Sequence, residues 1–283
     1  MNEKGSILLM TVSLMILLVS LTGGFLYASG LFIGNSGWEE LDSKVFWLSE
    51  TGMQRAIWNL KTPAGSGGQG ESWTTAGTTQ SLGGGSITMV VEAWDFALST
   101  NSPTASATSS SVGHAASSVI DGDSTTTYWE SNAQPTAGSP QDLIITFPYT
   151  LTINKVRFIA PSSSTVPRDY QWAVSSSGVA YTNVGAAGNN NATLDVTTTF
   201  SVAAIPAAAS VNYLRLRVTE DGTGNPRRVR VLTVEVAGRR ITSTGTVTAS
   251  GQTYTRTVRE TVVTDSDGPQ IEVAYKEPDW SEL

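Results

Sequence analysis

The chain has 283 residues, a formal net charge of −7 and a pI near 4.8. This excess of negative charge argues against a nucleic-acid partner, because no basic surface is evident that would neutralise phosphates. One histidine and no cysteine argue against a zinc site, since carboxylates would have to supply most of the ligands. The length accommodates a long helix plus roughly two small domains of about 100–150 residues each.

The first sixty residues carry one continuous helical pattern. A polar leader that ends in Gly5 precedes an apolar stretch that begins at Ser6, and no signal-peptide cleavage site is evident after that stretch. At a rise of ~1.5 Å per residue, residues 6–27 would extend about 33 Å, which is enough to cross a hydrocarbon core. The sequence therefore predicts a single-pass inner-membrane protein with a cytoplasmic N-terminus.

Beyond Gly23 and Gly24 the helical pattern becomes amphipathic, and Pro63 ends it. Apolar or small residues recur at spacings of three and four, which places them on one face of the helix. We expect this face to pack on the rest of the molecule. Its members are Leu41, Val45, Leu48, Gly52, Ala56 and Leu60.

This N-terminal region resembles type IV pilins and the pseudopilins of type II secretion. The leader Met1-Asn2-Glu3-Lys4-Gly5 is similar to a prepilin leader. The resemblance implies cleavage after Gly5 by a prepilin peptidase, N-methylation of Ser6, and fibre partners that are other pilins or pseudopilins. Major pilins carry glutamate at the fifth mature position, where this chain has Met10, so the resemblance favours a tip or initiation subunit that is extracellular or periplasmic in the fibre.

The segments that follow the helix predict a small antiparallel sheet. Residues 62–85 are rich in Gly, Ser, Thr and Gln and are interpreted as a loop. Residues 86–94 read as a strand with Ile87, Met89 and Val91 on one face. Residues 240–248 and 253–263 flank a turn at 249–252 and predict a hairpin, and residues 271–275 predict an edge strand.

The central block is rich in Ser, Thr and Ala and has almost no helical periodicity. Short predicted strands separated by Gly, Pro and Asn turns indicate a β-sandwich. These strands are residues 143–147, 153–159, 170–174, 213–218 and 229–236.

Five groups of segments in the central block share one pattern when they are taken in chain order. They are residues 115–123 with 127–131, residues 140–147, 153–158 and 168–178, and residues 213–216 together with 232–238. On these segments the block resembles the discoidin, or coagulation-factor C-type, family, which shares a jelly roll with galactose-binding-like carbohydrate-binding modules. The resemblance implies a carbohydrate-binding head domain.

The predicted fold class is therefore α+β, with a long N-terminal pilin helix packed on a small antiparallel sheet and an inserted all-β jelly-roll sandwich. The predicted boundaries are 1–5 for the leader, 6–60 for the transmembrane or pilin helix, 61–96 for a loop and first strand, 97–238 for the inserted domain and 239–283 for the C-terminal strands.

One loop of the inserted domain carries oxygen ligands of the kind that calcium prefers. The resemblance implies a structural Ca²⁺ site formed by Asp121, Asp123, Thr127 and Glu235. Thr126 is an alternative to Thr127 because of an extra residue in the loop. A loop closed by Asx turns without metal is the other alternative.

A sugar site would pair an aromatic face with hydrogen-bonding groups on loops, and binding to a protein or an anionic glycan is an equally open alternative. Trp129 and Trp172 are predicted to lie in the core. The candidate ligand-binding residues are His114, Asn132, Arg168, Asn225, Arg227 and Arg228, with Tyr181 as a further candidate.

We expect no enzymatic activity, because no nucleophile–base pair, phosphate loop or catalytic carboxylate pair is recognisable. Two functions remain. The first is a minor pilin that initiates or caps a type IV pilus and displays a carbohydrate-binding adhesive domain. The alternative is a structural tip pseudopilin of a type II-like secretion system, with the insert as a spacer or as a docking domain for a surface protein.

Overall fold

The computed structural model describes residues 3–201, 204–221, 227–264 and 271–276. One long helix, α1 (Glu3–Lys61), is followed by a succession of strands. The strands are β1 (Thr75–Leu82), β2 (Gly85–Asp95), β3 (Thr104–Ala107), β4 (Trp129–Glu130), β5 (Gln141–Leu151), β6 (Lys155–Ile159), β7 (Pro167–Ser175), β8 (Thr182–Gly188), β9 (Asp195–Thr199), β10 (Val211–Asp221), β11 (Arg230–Val231), β12 (Thr233–Ala249), β13 (Gln252–Thr264) and β14 (Ile271–Lys276).

The fold class differs from the prediction. Strands make up 46% of the structure and helices 21%, so the protein is mostly β and the α+β assignment is wrong. The strand content exceeds the prediction because segments with little hydrophobic alternation, such as β1, β8 and β9, join the sheets through backbone pairing. The structure does not show the pilin character that the sequence suggested for the N-terminal region.

The C-terminal part of α1 packs on a sheet through the face that the sequence predicted. Val45, Leu48, Ala56 and Leu60 are all buried, which confirms the spacing argument for these residues. Met53 and Ser49 extend the contact. The interface is tight at Gly52, since a Cβ atom there would lie 2.2 Å from Oγ of Ser243.

That sheet has the order β1-β2-β12-β13-β14. Ile87, Met89 and Val91 of β2 are each only 1% exposed and face α1, as their alternation predicts. The expected loop over residues 62–85 is only partly correct, because residues 75–82 form β1. This edge strand pairs with β2 alone and leaves most of its side chains exposed, so no hydrophobic alternation marks it in the sequence.

The predicted hairpin of β12 and β13 is confirmed, with Ala249 opposite Gln252. Its two central residues, Ser250 and Gly251, have φ values of 52° and 78°. A two-residue turn with both φ values positive matches the right-handed twist of the flanking strands. Pairing of residues 271–276 with β13 likewise confirms the edge strand β14.

Strand β12 connects the two parts of the molecule. Its first residues, 233–236, pair with β6, whereas residues 237–246 pair with β2. The sequence had divided this stretch into two strands. In the structure they form one continuous strand. Gly238 at the junction leaves room for Phe96, whose ring would lie 2.5 Å from a Cβ atom at that position.

The remaining strands form a sandwich. A sheet of order β3-β5-β10-β7-β8 covers one side, and β9 and β6 pair next to β12 on the other. Trp129 and Trp172 are fully buried in the core between them, as predicted, together with Phe158.

One prediction about the N-terminal region is overturned. Within the described part of the chain, no helix is both long enough and apolar enough to cross a bilayer, which takes about 20 predominantly apolar residues. The predicted single-pass inner-membrane location is corrected accordingly. Gly5 and Ser6, the predicted processing residues, lie in the first turns of α1.

Candidate functional site

A two-stranded ladder gathers several loops at one end of the sandwich. Strands β4 and β11 pair so that Arg230 lies opposite Glu130. The amide of Ser111 donates to the carbonyl of Glu130 at 2.8 Å, and the amide of Arg230 donates to the carbonyl of Thr165 at 2.9 Å. These bonds bring the loops before β4, before β7 and before β11 together around one surface.

Two aromatic rings stack on this surface. The rings of His114 and Tyr128 have centroids 4.1 Å apart and an interplanar angle of 13°. The guanidinium carbon of Arg230 lies 5.1 Å from the centroid of the Tyr128 ring. His114 and Tyr128 are only half-buried, so the stacked pair is accessible from solvent.

A buried carboxylate fixes the neighbouring arginines. Nη1 of Arg228 donates to Glu130 at 2.8 Å and to the hydroxyl of Ser111 at 2.9 Å. Nε of Arg230 donates to the other oxygen of Glu130. Burial alone would raise the pKa of Glu130, but the hydrogen bonds from Arg228, Ser111 and Arg230 outweigh burial and lower it to about 2. Glu130 is therefore ionised at neutral pH.

We call His114, Tyr128, Glu130, Arg228 and Arg230 the Tyr128 cluster. Two guanidinium groups share one carboxylate, so the cluster keeps a net positive charge beside an aromatic surface. Each of the two arginine side chains is about one third exposed, so both can be reached from solvent. Such a set of donors suits a hydroxyl-rich or anionic ligand.

The predicted ligand-binding residues are distributed unevenly around the cluster. His114 and Arg228 belong to it. Arg227 lies 3.5 Å from the carboxylate of the buried Asp221, and Arg168 lies 3.4 Å from Glu220. Asn132 is exposed, and its backbone amide donates to Ser109 Oγ at 3.1 Å.

The two other candidates fall elsewhere. Asn225 lies outside the described residues. Tyr181 lies in the loop between β7 and β8, where the guanidinium carbon of Arg215 is 4.1 Å from the centroid of its ring.

Sequence reasoning missed Tyr128, Glu130 and Arg230 as site residues. The available signal was alternation, because Arg228 and Arg230 are two residues apart, as are Tyr128 and Glu130. Residues at that spacing lie on the same face of a strand. The pairing of β4 with β11 then brings the two sets together, which the sequence does not reveal.

The loop that carries three of the predicted calcium ligands, Asp121, Asp123 and Thr127, makes hydrogen bonds within itself. Oδ1 of Asp121 accepts from the amide of Asp123 at 2.8 Å, and Oδ2 accepts from the hydroxyl of Thr127 at 2.6 Å. Asp123 accepts from Thr125 and Thr126, both backbone and hydroxyl, and these bonds lower its pKa well below the usual range. The loop thus closes on itself through Asx turns.

Glu235 does not join that loop. Both of its oxygens accept from Nη1 of Arg157, at 3.0 and 2.9 Å. Among the residues whose placement is described, no group of three or more His, Cys, Asp or Glu could hold a metal ion. As folded here, the four predicted donors do not fit a calcium site.

Comparison with known families locates a domain within the chain. Residues 104–231 match the model of the F5/8 type C domain. This segment runs from the first residue of β3 to the last residue of β11, so it contains the Tyr128 cluster. No curated protein sequence matches the chain.

Several solved structures are similar to about half of the chain. The module CpGH89CBM32-5 from Clostridium perfringens, in complex with GalNAc-beta-1,3-galactose, is 21% identical over 49% of this chain and 97% of its own, with a TM-score of 0.40. Chitosan-binding module 1 from a Paenibacillus chitosanase/glucanase is 26% identical over 50% and 98%, with a TM-score of 0.41. The family 32 module of Clostridium perfringens NanJ, in complex with galactose, is 21% identical over 52% and 99%, with a TM-score of 0.40.

Proposed function

We propose that the F5/8 type C domain of residues 104–231 binds glycans through the Tyr128 cluster. The supporting observation is the half-buried, solvent-accessible His114–Tyr128 stack beside two arginines that Glu130 fixes in place. A pyranose ring has an apolar C–H face that packs on an aromatic surface and hydroxyls at its rim that accept from guanidinium groups. The cluster offers both at one solvent-accessible position.

The proposed activity is binding without catalysis. A general acid at neutral pH needs a carboxyl whose pKa is raised toward 7, whereas the pKa of Glu130 is lowered to about 2. Both oxygens of Glu130 are also occupied by Arg228 and Arg230. The carboxylate therefore positions the arginines and does not transfer protons.

A glycan array probed with the full-length chain, in calcium and in chelator, tests this proposal. We expect binding to a defined set of sugars that Tyr128→Ala abolishes. Tyr181→Ala is the matched control, because Tyr181 is another half-buried tyrosine beneath an arginine but lies outside the cluster. Binding that survives Tyr128→Ala, or a folded chain that binds no glycan, would refute the role of the cluster.

A finer proposal concerns how this domain is displayed. We propose that the helix and sheet serve as an assembly module, in a minor pilin that initiates or caps a type IV pilus. The alternative is a tip pseudopilin of a type II-like secretion system, with the inserted domain as spacer or protein-docking domain. Support comes from the leader that ends in Gly5 and from the docking of α1 on β2, β12 and β13.

Mass spectrometry of the N-terminal peptide from the native host tests the assembly role. Processing by a prepilin peptidase predicts a chain that begins with N-methylated Ser6. Detection of an intact N-terminus in the assembled fraction would contradict this role and would leave the glycan-binding proposal unaffected. Gene neighbourhood distinguishes the two assemblies, since a retraction motor favours a pilus.

A further inference from the structure

A cavity lies outside the F5/8 type C domain, between the end of α1, the loop that follows it, and strands β1 and β2. Its volume is about 550 Å³, which falls within the range of about 300–1,000 Å³ that is usual for small-ligand sites. None of the residues in the Tyr128 cluster lines it.

The helix supplies one wall of the cavity. Arg55, Trp58 and Asn59 line it, and their spacing of three and four residues places them on one face of α1. Trp58 is 51% exposed, so a large part of its indole surface is open to a ligand. No ion pair among the described residues includes Arg55, and no carboxylate is among the described residues that line the cavity.

The loop after α1 supplies a second wall and is held rigidly. The amides of Gln69 and Gly70 donate to the carbonyl of Asn59 at 2.8 and 3.0 Å, and the amide of Trp73 donates to the carbonyl of Gly70 at 3.1 Å. These bonds fix Gln69 and Trp73, which both line the cavity. The indole of Trp73 packs on the core beneath α1, so the cavity wall is formed before any ligand arrives.

The sheet supplies the floor. Thr78 and Gln80 of β1 share one face, and Met89 lies opposite Thr78 in the ladder with β2. Gly67 also lines the cavity with a φ of 94°. A Cβ atom at Gly67 would meet no atom within 4 Å, so the absent side chain leaves the opening clear.

We propose that this cavity is a second saccharide-binding site and that its ligand is an acidic sugar. Trp58 and Trp73 provide aromatic surfaces for the C–H faces of a pyranose ring. The amides of Asn59, Gln69 and Gln80 provide paired donors and acceptors for hydroxyls. Among the described residues, Arg55 is the single charged side chain that lines the cavity, and a guanidinium binds a carboxylate through two parallel hydrogen bonds. A lining without Asp or Glu therefore selects a sugar that carries a carboxylate.

Titration calorimetry on the full-length chain tests this proposal. The acidic probes are trigalacturonate, a hyaluronan tetrasaccharide and sialyllactose, with galactotriose, chitotetraose and lactose as uncharged counterparts. We expect at least one acidic probe to bind, Trp58→Ala to abolish that binding, and Arg55→Gln to weaken it about tenfold, as expected for loss of a charge-assisted hydrogen bond. Gln54→Ala is the control, because Gln54 is exposed on α1 and does not line the cavity.

The same titrations on the Tyr128→Ala variant separate this site from the glycan site of the F5/8 type C domain. Binding at the α1 cavity should persist in that variant, whether or not the Tyr128 cluster binds sugars. Equal binding of a charged probe and its neutral counterpart would overturn the acidic assignment. Failure of every probe to bind, or binding that Trp58→Ala and Arg55→Gln leave intact while circular dichroism shows a folded chain, would overturn the site.

Discussion

Arg157 binds both carboxylate oxygens of Glu235, at 3.0 and 2.9 Å from its Nη1 atom. The same guanidinium donates through Nε and Nη2 to Asp195, each at 2.6 Å. The pairing of β6 between β9 and β12 produces this arrangement, because it places Arg157 opposite Glu235 in one ladder. On the same strand, the hydroxyl of Thr233 donates to the carbonyl of Val119, two residues before Asp121.

This relationship predicts a domain that folds without calcium. Glu235 is neutralised by Arg157, and the carboxylates of Asp121 and Asp123 are occupied by their own loop. We expect the thermal midpoint to be the same in millimolar calcium and in excess chelator, measured by differential scanning calorimetry. A midpoint that rises with calcium concentration, as mass action requires for a ligand of the native state, would show that the loop rearranges to bind the ion.

Replacement of Glu130 should destabilise the chain. Glu130→Gln leaves Arg228 and Arg230 next to a neutral amide, and we expect the free energy of unfolding to fall by about 1–3 kcal/mol. Urea denaturation at pH 7 measures this difference. Glu220→Gln is the control, since Glu220 is exposed on its side chain and makes a longer contact with Arg168.

The difference in unfolding free energy between wild type and Glu130→Gln should change with pH in a defined direction. Because the pKa of Glu130 is lowered to about 2 from 4.5, its contribution is fully present above pH 4.5 and is lost as the pH falls toward 2. The stability gap between wild type and Glu130→Gln should therefore narrow across that window. A gap that stays constant from pH 5 to pH 2 would mean that the charge of Glu130 contributes nothing.

The carboxyl of Asp95 should make the free energy of unfolding depend on pH in the opposite direction. Burial raises its pKa to about 6, against the lowering effect of hydrogen bonds from the amides of Val236 and Ala97. A raised carboxyl pKa means that the folded state binds the proton more tightly, so stability falls as the pH rises from about 4 through 6. We expect Asp95→Asn to be more stable than wild type at pH 7, by at most about 3 kcal/mol.

Paired urea denaturation of wild type and Asp95→Asn at pH 4 and pH 7 measures this effect. The amide oxygen can still accept from Val236 and Ala97, at the sites where Oδ1 now accepts at 2.8 and 2.9 Å. If the variant gains no stability relative to wild type between pH 4 and pH 7, the carboxyl of Asp95 is not buried as described.

Two glycines of the same helix should respond differently to alanine. At Gly52 the new Cβ atom would lie 2.2 Å from Oγ of Ser243 and 2.3 Å from Cγ2 of Ile87, both buried side chains. We expect Gly52→Ala to lose about 2 kcal/mol through overpacking, which outweighs a gain of roughly 1 kcal/mol in helix propensity. Gly24→Ala, where nothing lies within 4 Å, should lose no stability. Equal thermal midpoints for the two variants would contradict the close packing of α1 on β12.

Much of the fold near α1 follows from local pattern. The three- and four-residue spacing from Val45 to Leu60 and the alternation of Ile87, Met89 and Val91 both predicted buried faces correctly, since a half-buried element repeats its apolar residues with its own period. Strands β1, β8 and β9 were missed because each is an edge or near-edge segment rich in Gly, Ala, Thr and Asn. Pairing with a neighbour, not side-chain burial, makes them strands.

The residues of the candidate sites were likewise only partly predictable from the sequence. His114 and Arg228 were recognised from residue type, but their partners Tyr128, Glu130 and Arg230 come from two strands about one hundred residues apart. The cavity at Trp58 and Trp73 left no sequence signal, because its walls come from a helix, a loop and a hairpin.

The sequence by itself determined the long helix, its packing face, the terminal hairpin and the presence of a discoidin-like β domain. These features depend on residue periodicity and on turn residues, which act over a few positions. Only the tertiary structure decided that β12 runs unbroken through both sheets, that Arg157 engages Glu235, and that Arg230 lies by Tyr128. Those outcomes depend on strand register between distant segments, and register is set by the packing of the whole core.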